Sequence, residues 1–381
     1  MEIKNLKKVA IRIKKAIKNK ENIILYGDAD IDGITSVIIL EETIKNLGGM
    51  VGQIYFSDRE KDGSGIHRKG LSELEKKTSS LLIVLDCGIT NFKETILAKK
   101  LGFELIIIDH HEVLGKIPKA DIVVDPKQEG DKYPFKEFSN GGITYKLSKI
   151  LLGKEKSKGL DETFLELAAL STIADMMPQK EDNKILIEKG LKSLHNTYRP
   201  FFRIFLDDGE AEGRSIQEIV QKIVFALNSG QKKENSHEIY SALTCPDIKE
   251  AEQIAETLLD RSYSNQIKIK QVRDEIENLV SKKTHYGVIF EGDQSWPFLS
   301  LGSAASRISE DYKIPVFLFK KGKNESRGSV RAPHGFNVVK IMTSCAKFLE
   351  TYGGHPPAGG FKIKNENLEK FRECLIKSLQ K

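Results

Sequence analysis

The sequence predicts an α/β protein with an N-terminal domain on a mostly parallel sheet, a long connecting helix and a smaller C-terminal α/β domain. Three observations predict it. Within the first 130 residues short apolar runs alternate with amphipathic stretches, whereas residues 141 to 230 lose that alternation and read as helix. A charged, helix-favouring stretch then runs from Asp247 to about Lys283, after which strand pattern returns. The expected division is 1–245 for the first domain, 246–283 for the connecting helix and 284–381 for the second domain. A length of 381 residues accommodates two cores, and 39% hydrophobic residues is ordinary for a globular chain.

The first residues, MEIKNLKKVAIRIKKAIKNK, interleave lysines with apolar residues at helical spacing. They offer no uninterrupted apolar run, and no later stretch approaches a membrane span, so a soluble chain with no membrane partner is expected. NIILYG, GQIYFS, LLIVLDCG, ELIIIDHH and DIVVDP follow as strands, with SVIILEETIKNLG and ETILAKKLG as intervening helices. Short β-rich runs separated by helical pattern argue βαβ units whose sheet is buried on both faces. GGITYKLSKILLG and ETFLELAALSTIADMM read as helices, as does the stretch where Ile254, Leu258, Ile269, Val272, Ile276 and Leu279 recur at threes and fours or their sums. HYGVIFEG and IPVFLFKKG then restore strands, and Gly353-Gly354-His355 and Gly359-Gly360 punctuate the end.

Composition constrains the partner only loosely. Lys and Arg total 60 against 54 Asp and Glu, for a net charge of +6 and a pI of about 8.8, which permits a polyanionic partner without demanding one. Cys87, Cys245, Cys345 and Cys374 are far apart and form no CxxC pair. Neither a zinc knuckle nor a disulfide framework is suggested, so a chain free of disulfides in a reducing, cytoplasmic compartment is expected.

The chemistry is concentrated in acidic clusters. YGDADIDGIT places Asp28, Asp30 and Asp32 at alternate positions, and an extended segment would turn all three to one side. Like charges at that spacing repel, and a divalent cation resolves the repulsion. The resemblance to an EF-hand loop fails: the twelfth position from Asp28 is Ile39, and a strand precedes. Asp109, His110 and His111 end another strand, and an imidazole joined to carboxylates suits a transition ion such as Mn²⁺ better than Ca²⁺. Asp86 ends LLIVLD and Asp175 ends a helix; each alone reads as a cap, but together the clusters fall where parallel strands and helices should end.

In order, YGDADIDGIT, LLIVLDCGIT, IIIDHHE, VVDPKQEGDKYPFKEFSNGGITYKL, LAALSTIADMMPQKEDNKILIEKGL, LGSAASRISEDYKIPVFLF, GSVRAPHGFNV and GGHPPAGGF resemble the motifs of RecJ-type single-strand-specific exonucleases of the DHH phosphoesterase superfamily. The matches span nearly all of residues 22 to 362. The resemblance implies a phosphodiesterase with two ions, Mn²⁺ or Mg²⁺: Asp30 on one, with Asp28 as a further ligand; Asp32, His110 and Asp175 on the other; and Asp86 bridging. It implies that Asp109 orients His110 and that His111 faces the scissile phosphate. Tyr26 stands where many superfamily members carry a histidine.

GSVRAPHGF and GGHPPAGGF resemble the family's DHHA1 domain, which implies a second domain that holds substrate through Gly353, Gly354, His355, Arg307 and Arg331. Arg59 aligns with an arginine loop near the family's active site. Trp296 has two readings, a base-stacking platform or a packed core residue. Bacterial RecJ proteins continue into an OB-fold, whereas this sequence stops about twenty residues after GGHPPAGGF; the expectation is a resemblance to the compact archaeal homologues, some of which associate with the GINS replication complex. Where RecJ enzymes carry an arginine-containing helix, KIVFALNSGQ stands here, which leaves end polarity and the choice between DNA and RNA open. The leading expectation is an exonuclease releasing mononucleotides from single-stranded nucleic acid in repair, recombination or replication. The alternatives are a phosphoesterase for short oligonucleotides or 3′-phosphoadenosine phosphate, and a non-catalytic replication scaffold.

Overall fold

Strand pairing in the computed structural model, which describes residues 2–59, 61–74, 80–155, 157–207, 213–234, 236–280 and 287–379, follows the apolar runs of the sequence. The chain divides into two units, Met1–Ser262 and Tyr263–Lys381. In the first, α1 (Leu6–Lys18) leads into β1 (Ile23–Gly27), α2 (Ile31–Asn46), β2 (Val51–Phe56), α3 (Arg68–Leu74), β3 (Leu81–Leu85), α4 (Phe92–Lys100), β4 (Glu104–Ile108) and β5 (Ile122–Val124). All five strands are parallel, in the order β2-β1-β3-β4-β5. Successive side chains therefore enter different cores. Leu25, Ile83, Ile106 and Ile108 join one cluster, whereas Tyr26, Val84, Leu105 and Ile107 join the other.

Beyond the sheet come α5 (Asn140–Leu152), α6 (Lys158–Ala174), α7 (Glu181–Leu194), α8 (Pro200–Leu206), α9 (Ile216–Leu227) and α10 (Glu238–Thr244), which accords with the helical reading of residues 141 to 230. Phe138, Phe164, Phe201 and Phe202 are fully buried there and extend the first cluster. The charged stretch after Asp247 forms one helix, α11 (Ile248–Val280); the part of the expected connecting helix from 281 to 283, and the border at 284, lie outside the described residues.

The second unit carries β6 (Ile289–Asp293), α12 (Phe298–Tyr312), β7 (Val316–Lys321), β8 (Glu325–Arg331), α13 (Val338–Ser344), β9 (Leu349–His355), β10 (Ala358–Lys364) and α14 (Leu368–Leu379). Its sheet runs β6-β7-β8-β10-β9, with only the β6 and β7 pair parallel. One side is an aromatic core of Phe290, Phe317, Phe319, Phe361 and Phe371. The glycines of GGHPPAGGF do not make a turn: Gly353 and Gly354 lie in β9 opposite Gly360 and Gly359 in β10, and the chain reverses at Pro356 and Pro357. A side chain at 354 would strike Ala358 O at 2.3 Å, so glycine there permits the close approach of two strands. Trp296 is 2% exposed, packs in the core of this unit and donates its Nε1–H to Glu275 at 3.1 Å, which removes it as a base-stacking platform.

One expectation is overturned. Cys345 and Cys374 form a disulfide, while Cys87 and Cys245 are free and buried. Cysteines separated by 29 residues look unrelated in the sequence, but the end of α13 and the middle of α14 bring them together. Cysteine spacing therefore no longer points to a reducing compartment. Among the described residues no helix is long and apolar enough to cross a membrane. Closing a loop of this length restricts the unfolded chain by about 3–4 kcal/mol, so reduction is expected to lower the unfolding midpoint. A thiol titration of denatured protein should give two reactive groups before reduction and four after it.

Candidate metal centre

The carboxyl ends of β1, β3 and β4 all carry acids, and the strand order reverses direction between β1 and β3, the place where open parallel sheets build their sites. Asp28 follows β1 and is 2% exposed; its Oδ1 accepts from Ser57 Oγ at 3.2 Å. The next residues do not remain extended, as the alternation of acids suggested. Asp30 is the N-cap of α2, accepting from Gly33 N at 2.9 Å, and Asp32 lies in the first turn. The three acids still converge, now because a helix starts among them, where its free N–H groups and dipole favour negative charge.

Asp32 is held from a distant part of the chain. Asn140 N donates to its Oδ2 at 2.8 Å, and Gly141 N and Ser171 Oγ donate to its Oδ1 at 2.7 and 2.5 Å. The first two are the opening amides of α5, so Asp32 occupies the N-terminus of a second helix. A Cβ at 141 would lie 2.4 Å from Ser171 Oγ, so only glycine allows this approach. Burial and the neighbouring Asp30 nevertheless outweigh these donors and push Asp32 up to about 6.

Asp86 follows β3 with φ of 64°, a left-handed conformation uncommon outside glycine that Asn and Asp tolerate better than most residues. It is 2% exposed, and burial followed by repulsion from Asp32, Asp30, Asp28 and Asp175 raises it well above the usual carboxylate range. Asp175, the C-cap of α6, is raised by burial and by repulsion from Asp32 and Asp30. Asp30 moves the other way: burial works to raise it, but Arg59 and the Gly33 N–H hold it below its usual value. Arg59 Nη1 lies 3.1 Å from Asp30 Oδ2, and Nη2 lies 3.6 Å from Asp28 Oδ2 and 3.0 Å from Ser64 Oγ.

His110 supplies the one nitrogen of the cluster. Its Nδ1 lies 2.6 Å from Phe138 O, and because a carbonyl only accepts, that nitrogen carries the proton. Burial, His111 and Lys127 hold the ring well below its usual pKa, so it is neutral and Nε2 presents a lone pair. That lone pair faces Asp86 Oδ1 at 3.1 Å, Asp32 Oδ2 at 3.4 Å and Asp175 Oδ2 at 3.6 Å. With the carboxyl groups ionised, acceptor faces acceptor, and Asp86 Oδ1 is buried with no hydrogen bond among the described residues. A cation resolves such a juxtaposition. The ligand atoms form two sets, Asp32 with His110 and Asp175, and Asp28 with Asp30 and Asp86, each within 4.8 Å. A nitrogen among oxygens fits Mn²⁺, and the all-oxygen set fits Mg²⁺ or Mn²⁺.

The expected role of Asp109 is corrected. Its Oδ1 accepts from His111 Nδ1 and from His110 N, both at 2.8 Å, and its Oδ2 accepts from Ile89 N at 2.9 Å. It therefore orients the His111 ring, while Phe138 O orients that of His110. Burial works to raise Asp109, but His111 holds it below its usual value. Burial works to lower His111, but Asp109 overrides it and raises the ring to about 9. Tyr26 is no ligand: it is buried in the second cluster, donating to Gly65 O at 3.1 Å and accepting from His67 N at 3.1 Å.

Sequence reasoning missed Ser57, Phe138, Asn140, Gly141 and Ser171. The signal was present in SNGGITYKL, a serine and adjacent glycines before a helical pattern, but nothing local tied it to Asp32. Of the residues expected to hold substrate, Arg59 joins the acidic cluster. Arg307, Arg331, Gly353, Gly354 and His355 belong to the second unit. Arg307 is exposed on α12. Arg331 and His355 both pair across Ala358, on β8 and β9, which sets them on one face of that sheet.

Comparison with known proteins follows the same division. Residues 22–172 match the DHH family, N-terminal domain, and residues 281–381 match the DHHA1 domain. The single-stranded-DNA-specific exonuclease RecJ of Bacillus subtilis is 32% identical over 98% of this chain and 48% of its own length. That of Thermus thermophilus is 27% identical over 95% of this chain and 53% of its own length, so the chain spans about half the length of these relatives. A crystal structure of exonuclease RecJ bound to manganese superposes with a TM-score of 0.77 at 25% identity, covering 100% of this chain and 96% of that one. The Thermus thermophilus RecJ in complex with Mn²⁺ gives 0.80 at 24% identity, covering 100% and 55%, and shows the fold. The chain is a RecJ-like protein of the DHH and DHHA1 family.

Proposed function

We propose that the protein is a metal-dependent exonuclease that hydrolyses phosphodiester bonds of single-stranded DNA, with RNA as a further substrate, and releases mononucleotides in repair, recombination or replication. The observation that carries this reading is the His110 lone pair held against the oxygens of Asp32, Asp86 and Asp175. Support comes also from the RecJ relatives, named for single-stranded DNA, and from the manganese in the RecJ structure of similar fold. Two divalent ions, Mn²⁺ or Mg²⁺, would be held by Asp28, Asp30, Asp86, Asp32, His110 and Asp175, and would supply an acidified water and charge neutralisation at the phosphate.

The chain's own groups then divide the remaining work. Phe138 O fixes the His110 tautomer so that Nε2 never competes as a donor, and the start of α5 keeps Asp32 oriented. His111, held protonated by Asp109, offers a donor to a phosphate oxygen or a proton to the leaving oxygen. Arg59, which pairs with Asp28 and Asp30, is the group proposed to contact a phosphate bound beside them. In the second unit Arg307, Arg331, Gly353, Gly354 and His355 are the groups proposed to hold the strand, with DHHA1 as the substrate-binding part. A GINS-type partner, implied by the resemblance, and a cytoplasmic location, for which cysteine spacing no longer speaks, belong to the same reading.

Single-stranded DNA and RNA labelled separately at each end, incubated with Mn²⁺ or Mg²⁺, test it. Mononucleotides should appear from one end of a long strand and fall on the order of 10²–10³-fold in Asp86→Ala. Cleavage of very short oligomers alone would favour the small-substrate phosphoesterase, and none with either metal would favour the scaffold. Asp109→Asn should cost roughly 10–100-fold, as for other groups that orient a site from behind. In chelator-treated protein the His111 ring should titrate near pH 9 by NMR, and Asp109→Asn should bring its midpoint down towards the ordinary histidine value. The His111–Asp109 pair raises the folded-state pKa, so its contribution to stability is complete below the ordinary histidine pKa of 6.5 and is lost as pH rises through about 9.

A further inference from the structure

Helix α6 ends at Ala174, with Asp175 as its cap and Met176 immediately beyond. The reversal is closed by Met176 N donating to Ile173 O at 3.2 Å and Met177 N donating to Thr172 O at 3.1 Å, the paired bonds of a Schellman cap. Met176 thereby occupies the left-handed position of that cap, with φ of 53°. Glycine takes this conformation at no steric cost, and any side chain adds one. Among the described non-glycine residues with positive φ, Met176 is the one large apolar residue; the others are Asn5, Lys20, Asp86, Glu181 and Lys313.

The side chain gains little from packing in return. Met176 is 85% exposed, the most exposed of the large hydrophobic residues described, whereas its neighbour Met177 is 7% exposed and turned inward. A strained backbone position and an apolar side chain in solvent are two unfavourable features in one residue, and strain of this kind gathers at functional sites. Here it stands one peptide unit from Asp175, whose Oδ2 lies 3.6 Å from His110 Nε2.

We infer that Met176 is a substrate-contacting residue at the lip of the acidic cluster, where its flexible thioether side chain packs against the face of a nucleobase next to the bond being hydrolysed. The inference rests on the phosphodiesterase reading and deepens it. A thioether makes favourable contact with any aromatic ring and carries no hydrogen-bonding pattern that would select one base. Such a contact suits an enzyme that must advance through every sequence. It also makes the base, as well as the phosphate, part of what the site recognises.

The test pairs a change in the protein with a change in the substrate. Met176→Gly removes the side chain and relieves the backbone, so its thermal midpoint should equal or exceed that of the wild type. Short single strands are prepared with natural bases, or with abasic residues at the two terminal positions of both ends, and kcat/KM is measured for each. The wild type should prefer natural bases; Met176→Gly should lower that preference about two- to tenfold, the range expected of sulfur–aromatic contacts. The loss should fall mainly on KM and leave hydrolysis of the abasic strand unchanged, and Met176→Leu should retain most of the preference. An unchanged preference in a folded Met176→Gly, or an equal loss on both strands, overturns the inference and leaves the phosphodiesterase reading standing. Absence of hydrolysis by the wild type on every strand overturns both.

Discussion

The mutual repulsion of the buried carboxylates around Asp86 is the constraint to which the N-terminal unit is built. Asp28, Asp32 and Asp86 are each 2% exposed, and Asp30 and Asp175 complete the group. Removing even one such charge from water costs several kcal/mol unless it is paired. The chain offsets part of that cost through backbone donors: the start of α2 for Asp30 and the start of α5 for Asp32. It leaves Asp86 almost uncompensated. A group so placed is costly for stability alone and useful for holding positive charge.

Everything around the cluster serves to fix it in place. The five parallel strands bury side chains on both faces, so their carboxyl ends cannot shift independently, and Asp28, Asp86 and Asp109 each leave the sheet one residue after a strand. Their backbone amides continue the ladder: Asp28 N donates to Leu85 O, Asp86 N to Ile108 O and Asp109 N to Val124 O. Each acid is thereby registered to its neighbouring strand. The two histidines, adjacent in sequence, acquire opposite characters from different partners: Phe138 O with burial keeps His110 neutral, and Asp109 keeps His111 protonated. One dipeptide thus provides both a lone pair and a proton donor.

Much of this was legible in the sequence because it is local. The strands of the first unit are continuous runs of β-branched and aliphatic residues, and each acid sits where its run stops. The clusters containing Asp28, Asp86, Asp109 and Asp175 could therefore be named before any geometry was known. What was not legible depends on long-range contact. The link from Asp32 to Asn140 and Gly141 spans more than a hundred residues, and no pattern within either segment announces the other. The partner of Asp109 was misassigned because three consecutive residues give no hint of which ring turns back. The glycine-rich strands β9 and β10 carry no strand pattern in the sequence, because glycine is the default turn residue, and only their pairing with each other and with β8 makes them strands. The disulfide escaped for the same reason, its two cysteines being near only once α14 has docked on α13.

Equilibrium binding tests whether the cluster is a cation site without reference to any substrate. Chelator-treated protein would be titrated with Mn²⁺ near neutral pH, free ion being followed by electron paramagnetic resonance, for the wild type and for a folded Asp86→Asn variant. Saturation is expected at two ions per chain in the wild type, with binding weakened by about tenfold or more at both positions in the variant. An absence of saturable binding, or identical isotherms for the two proteins, would contradict it.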